Sequence, residues 1–245
     1  MLPYLHRMEG RVLLFGATGY TGRLTAAALA RLGVPVVLVS RSADRVRALA
    51  AAIASQSTDG IEPEVATADA AEPASVRALL QSRDDVLLST VGPFMRHGAA
   101  AVEAAIDAGA CYVDSTGESP FIRWVFQDAG PRAERTGARL LPALAYDYVP
   151  GNLAGALAIR RSQQDGTEPA RIEIGYFVTG GMGMSSGTRA SMAGVLVEPT
   201  YAFRDGRLVT ERAGARTVQF PLDRIPGDQF ALVGPSTLAG LTIGA

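Results

Sequence analysis

Three glycines, Gly16, Gly19 and Gly22, stand between an apolar run and an alanine-rich one in Arg11-Val12-Leu13-Leu14-Phe15-Gly16-Ala17-Thr18-Gly19-Tyr20-Thr21-Gly22-Arg23. The chemistry such spacing serves is the holding of a pyrophosphate. Missing side chains let the backbone approach the phosphates, and a helix starting at the turn offers unpaired N–H groups and the positive end of its dipole. Gly16, Thr18, Gly19, Tyr20, Thr21 and Gly22 are therefore the expected cofactor contacts of the turn. The alternative is a glycine-rich turn that only packs a helix close to a sheet.

Arg41 follows 25 positions after Gly16, directly behind the apolar run Pro35–Ser40. A site for NAD places Asp or Glu there, to accept both ribose hydroxyls. A guanidinium instead grips a 2′-phosphate, which a carboxylate would repel. NADP(H) is the expected cofactor; an Arg solvated at a helix start is the alternative. Asp69, ending the third expected strand, either accepts from an adenine amino group or caps the next helix. Gly92, Pro93 and Phe94 break the fourth strand where ribose and nicotinamide would pass. His97, just beyond, reads as a proton donor near the nicotinamide or as a surface or helix-cap histidine.

Hydride transfer needs a placed nicotinamide and an acid near the acceptor. All 23 basic residues are Arg. That excludes a Schiff-base lysine, a P-loop lysine and the Tyr-x-x-x-Lys pair of short-chain dehydrogenases. Tyr146, Asp147 and Tyr148, at the end of the sixth expected strand, are the expected donors, with tyrosines packed against a domain hinge as the alternative. Thr116, Glu118, Ser185 and Ser186 are further substrate-contact candidates, and Met182, Met184 and Met192 suggest either a greasy surface or core packing. One cysteine, Cys111, and two histidines cannot build a metal cluster, so no metal is expected.

These residues need a scaffold. Apolar runs at 12–15, 35–40, 64–67, 85–91, 111–115 and 139–143 alternate with helical stretches at 24–32, 45–54, 73–81, 98–108 and 118–135, the last with a break expected at Gly130-Pro131. Such alternation predicts a doubly wound parallel sheet, an α/β Rossmann domain over 9–150, with ligands beyond the carboxyl ends of its strands. A helix over 150–161, alternation over 171–178 and a hairpin about Asp205-Gly206 predict a smaller α+β domain over 151–245. The uncapped apolar stretch Leu238–Ala245 suggests that this domain stops short of its usual length.

A hydrophobic fraction of 48% and a charged fraction of 19% fit a folded chain, not a disordered one. A net charge of −1 without a basic block argues against nucleic-acid binding. No apolar run is long enough for a membrane span, and residues 1–10 lack a signal peptide's apolar core, so a cytoplasmic location is expected.

Gly16–Arg23, Val91-Gly92-Pro93-Phe94 and Tyr112-Val113-Asp114-Ser115-Thr116-Gly117-Glu118, with Tyr146–Asn152 and Ser185-Ser186-Gly187-Thr188, resemble the saccharopine dehydrogenase-like oxidoreductase family. The similarity is greatest to the branch containing mycobacterial trans-acting enoyl reductases. The resemblance implies an N-terminal Rossmann domain, a second domain for substrate binding and homodimerisation, and a nicotinamide cofactor. It carries over Gly16, Gly19 and Gly22 as phosphate-binding positions and Val91–Phe94 as the nicotinamide-side loop. The expected function is an NADP(H)-dependent oxidoreductase reducing a C=C or C=O bond of a small hydrophobic or acyl substrate. The alternatives are a non-catalytic NADP(H)-binding redox sensor and a dimeric scaffold.

Overall fold

Leucine and valine dominate Val12–Phe15 (β1) and Val36–Ser40 (β2), and every residue of both is buried. Runs of this kind suit the middle of a parallel sheet, which must be covered on both faces. The structure is a computed structural model that describes residues 10–55, 62–146, 148–169, 172, 174, 175, 199–204, 207–211, 216–218 and 231–233. The chain forms two compact units, residues 1–144 and 145–245.

In the first unit β1 and β2 are joined by Glu64–Thr67 (β3), Val86–Ser89 (β4), Cys111–Asp114 (β5) and Arg139–Leu141 (β6). The six strands are parallel, in the order β3-β2-β1-β4-β5-β6. This is a Rossmann-like α/β sheet whose order reverses between β1 and β4, leaving a crevice beyond their carboxyl ends. Successive residues of β1 face opposite sides. Leu13 and Phe15 join a core with Val76, Val102 and Phe121. Val12 and Leu14 join a second core with Ala26, Ala30, Val46 and Ile53. The covering helices are Tyr20–Arg31 (α1), Ala43–Ala54 (α2), Pro73–Arg77 (α3), Phe94–His97 (α4), Ala99–Ala108 (α5), Ser119–Trp124 (α6) and Gly130–Thr136 (α7).

Several boundaries depart from the sequence reading for identifiable reasons. Helix α1 begins at Tyr20, not Leu24, because Gly22 lies in its first turn against the backbone of Gly16 and Ala17. Helix α3 stops at Arg77. Further along, the Asp85 carboxylate takes the N–H groups of Gln81 and Ser82 at 2.8 and 3.2 Å. Gly130-Pro131 does not break the helix; the chain widens over Val125–Ala129, with the Gly130 N–H reaching back five residues to Val125 O. That widened turn leads directly into α7, whose first turn accommodates Pro131, a residue with no N–H to donate. At the opposite edge of the sheet from the crevice, Asp85 also accepts from Arg11 N and Nη2, both at 2.9 Å.

The second unit contains helix Val149–Gln164 (α8), the antiparallel pair Thr200–Arg204 (β7) and Arg207–Glu211 (β8), and the antiparallel pair Arg216–Val218 (β9) and Ala231–Val233 (β10). Arg204 lies opposite Arg207, so β7 and β8 are joined by two residues. Of the expected strand over 171–178, only 172, 174 and 175 are described, and none is in a strand.

Candidate cofactor-binding site

The turn after β1 is built from its own backbone. The N–H groups of Gly16 and Ala17 both donate to Val39 O, at 3.1 and 3.0 Å, which ties the turn to β2. Gly19 N–H closes it on Gly16 O at 2.9 Å. Gly16 has φ +88°, and a Cβ there would lie 2.8 Å from Thr90 Oγ1 and Val91 Cγ2. Only glycine meets both conditions. At Gly22 a Cβ would lie 2.2 Å from Gly16 O, so helix and turn touch backbone to backbone.

Helix α1 is left open at its start. Gly19 is its N-cap and supplies no side-chain hydrogen bond, and the first turn holds no acidic residue. The first intrahelical bond is Arg23 N–H to Gly19 O. The N–H groups of the preceding turn have no partner within the helix and suit an anion. This cradle, without a side-chain cap and without an acidic residue in the first helical turn, fits a pyrophosphate.

Sequence reasoning named Thr18 but passed over the hydroxyls of Ser40 and Thr90. Thr18 Oγ1 lies 2.9 Å from Ser40 Oγ, so the turn is pinned to the end of β2 beside Arg41. Arg41 is exposed, and among the described residues its guanidinium makes no hydrogen bond or ion pair. Ser42 accepts from Arg45 N as the N-cap of α2. Across the crevice Thr90 Oγ1 donates toward Phe15 O and Gly16 O at 3.1 and 3.2 Å, and its N–H also bonds Phe15 O. A single hydroxyl residue closing an apolar run was the available signal for both Ser40 and Thr90.

Asp69 closes its own turn: Oδ1 accepts from Ala71 N at 3.0 Å, and Ser75 Oγ accepts from Asp69 N. The N-cap of α3 is Glu72 instead. Val91 and Pro93 are half-buried and Gly92 is exposed, with a cis peptide between Gly92 and Pro93. The Phe94 ring turns into the core against Phe121, with centroids 5.7 Å apart, so only its backbone faces the loop. His97 is the half-buried last residue of α4.

Thr116 and Glu118, expected to touch substrate, meet a different environment. Both are buried. Glu118 Oε1 accepts from Phe94 N and Oε2 from Met95 N, each at 2.9 Å, and Thr116 Oγ1 accepts from Glu118 N at 3.1 Å. Asp114 Oδ1 accepts from Thr116 N and Ala143 N. Burial pushes the Asp114 carboxyl up, against the pull of those two N–H groups. Burial and then the neighbouring Asp114 charge likewise hold the Tyr112 hydroxyl well above its ordinary value.

The donor candidates do not end a strand. β6 stops at Leu141, and the chain turns through Ala143 at φ +59°. Tyr146 is exposed and Tyr148 is the N-cap of α8; both belong to the second unit. Asp147, Ser185, Ser186, Met182, Met184 and Met192 lie outside the described residues. The structure thus gathers Gly16–Gly22, Ser40-Arg41, Asp69 and Thr90–Phe94 at one edge of one sheet.

Sheet order and turn define a dinucleotide-binding class of fold. Residues 12–144 match the family described as the saccharopine dehydrogenase NADP binding domain; the chain belongs to that family, and its cofactor is NADP(H). The trans-acting enoyl reductase of Mycobacterium bovis (strain BCG) is 37% identical over 161 residues, 65% of this chain and 38% of that protein. The trans-acting enoyl reductase of Mycobacterium ulcerans (strain Agy99) is 35% identical over 161 residues, again 65% and 38%. The chain spans about two fifths of the length of these curated relatives. Among solved structures, apo saccharopine dehydrogenase (L-Glu forming) from Saccharomyces cerevisiae is similar at 16% identity and a TM-score of 0.49, covering 87% of this chain and 47% of that one. Among the described residues no helix is long and apolar enough to cross a membrane.

Proposed function

We propose that this chain is an NADP(H)-dependent oxidoreductase that reduces a C=C or C=O bond of a hydrophobic or acyl substrate, with residues 151–245 serving substrate binding and dimerisation, acting in the cytoplasm as a homodimer. The observation that carries the reading is the uncapped, acid-free start of α1 behind a glycine turn, within a domain of an NADP-binding family. The names of relatives, trans-acting enoyl reductase, support the reaction class.

The cofactor, when bound, supplies the hydride. The chain's own residues bind and orient. N–H groups of Tyr20, Thr21 and Gly22 hold the pyrophosphate at the start of α1, and Thr18, shared with Ser40, keeps the turn in register. Arg41 grips the 2′-phosphate. Asp69, its Oδ1 engaged with Ala71, borders the adenine. The backbone of Val91-Gly92-Pro93 lines the nicotinamide half, and Tyr146, Asp147 and Tyr148 are the proposed proton donors to the reduced substrate.

The test is NADPH deuterated at C4, incubated with trans-2-enoyl thioesters of rising chain length and with a matched ketone series. Deuterium from one face of C4 is expected in a reduced product. Firm NADPH binding without transfer to any acceptor would overturn the enzyme reading in favour of a redox sensor.

A further inference from the structure

Two buried carboxylates, Asp114 at the end of β5 and Glu118 just after it, have no role in the site so far. Glu118 is buried with both oxygens spent on the N–H groups that open α4. Two charge-assisted bonds from one rigid carboxylate fix two consecutive peptide units. The Phe94 side chain is held independently, by Phe121 and, behind it, Trp124. At the other end of the loop, Thr90 is tied to Phe15 and Gly16 through its N–H and its hydroxyl. Val91-Gly92-Pro93 is therefore a three-residue span anchored at both ends.

The anchor at Glu118 is itself braced. Its N–H bonds Thr116 Oγ1, and Thr116 N–H bonds Asp114 Oδ1 at 2.8 Å. Asp114 also receives Ala143 N at Oδ1, 2.9 Å, and Leu144 N at its carbonyl, 2.7 Å. Ala143 holds a left-handed φ of +59° in a buried position. An unbroken run of hydrogen bonds thus joins the loop after β4 to the last residues of the first unit.

We propose that Glu118 is a positioning residue for the nicotinamide half of the cofactor. Braced by Thr116 and Asp114, it sets the backbone of Gly92–Met95 without touching the cofactor. This rests on the assignment of Val91–Pro93 to the nicotinamide side. Glu118→Gln keeps the size but turns one acceptor into a donor facing an N–H. Thr116→Val removes the acceptor behind Glu118 and leaves its carboxylate intact.

The two halves of the site are read separately on the full chain by calorimetric titration with NADPH and with adenosine 2′,5′-bisphosphate, which lacks the nicotinamide half. Glu118→Gln is expected to weaken NADPH about tenfold. It should also diminish the change in nicotinamide fluorescence on binding and leave the bisphosphate affinity unaltered. Thr116→Val is expected to act in the same direction with smaller effect, and it carries the test if Glu118→Gln fails to fold. Equal loss of both ligands, or no loss of NADPH, overturns the proposal. If the unaltered chain binds NADPH but not the bisphosphate, the placement of the adenosine half fails, and the proposal with it.

Discussion

Gly22 and Gly19 sit three residues apart, and alanine at each should fail in a different way. In Gly22→Ala the new methyl would lie 2.2 Å from Gly16 O and 2.8 Å from Ala17 C and Cα, all backbone atoms that cannot rotate aside. A carbon–oxygen contact needs about 3.3 Å, so the start of α1 must retreat by roughly 1 Å. Overpacking of this kind costs about 1–3 kcal/mol, and the better helix propensity of alanine returns at most about 1 kcal/mol. A net loss near 1–2 kcal/mol lowers the melting temperature by about 2–8 °C for a chain of this size. The retreat also carries the N–H groups away from the phosphates, so NADPH binding weakens too. In Gly19→Ala the methyl meets only Gly16 O, at 3.2 Å, and the backbone at φ −72°, ψ 172° is ordinary for alanine. Stability should move by no more than about 0.5 kcal/mol. The methyl nevertheless stands at the open helix start, where it should cost at least about tenfold in NADPH affinity, or 1.4 kcal/mol. Scanning calorimetry and NADPH titration of both variants read the two effects apart. Wild-type NADPH affinity in Gly19→Ala would refute the placement of the phosphates, and wild-type melting in Gly22→Ala would refute the backbone contact.

Other substitutions probe separate parts of the account. Arg41→Ala should weaken NADPH at least about tenfold and leave NADH unchanged, as read by paired titrations. Burial raises the Asp85 carboxyl, but the Arg11 guanidinium and the N–H groups of Arg11, Gln81 and Ser82 outweigh it and hold the group below its ordinary value. Its stabilisation is therefore present above the ordinary carboxylate range and lost as pH falls through the depressed value. Asp85→Asn should cost about 3 kcal/mol near neutral pH, with the gap to wild type narrowing in acid, by denaturant titration at several pH values. Asp114 has the opposite sign: its folded carboxyl is raised, so its contribution is full below the ordinary range and lost as pH rises through the raised value. Asp114→Asn keeps Oδ1 for Ala143 and Thr116, and places an amide where Oδ2 has no hydrogen-bond partner among the described residues. It should gain on wild type as pH rises, by the same titrations.

The parallel sheet was readable because β-branched and leucine-rich runs, each closed by a small or polar residue, recur between alanine-rich stretches. The places of the glycine turn behind β1 and of Arg41 directly behind β2 were readable because their spacing is set by local geometry. What the chain order hid depends on partners distant along it. Glu118 gives no sign that it caps Phe94 and Met95, 24 and 23 residues earlier. Ser40 and Thr90 look like ordinary strand ends until β1 lies between β2 and β4. Tyr146 reads as the end of a strand only if the turn at Ala143, held by Asp114, goes unseen. Phe94, chosen as a loop residue, keeps its ring in the core because Phe121 is folded against it.

The central claim is that the first unit holds NADP(H) at the carboxyl edge of its sheet, with Arg41 on the 2′-phosphate. Side-by-side calorimetric titration of the unaltered chain with NADPH and NADH tests it most directly. Expected is one-to-one NADPH binding at least about tenfold tighter than NADH. Equal affinities, or a preference for NADH, would contradict it.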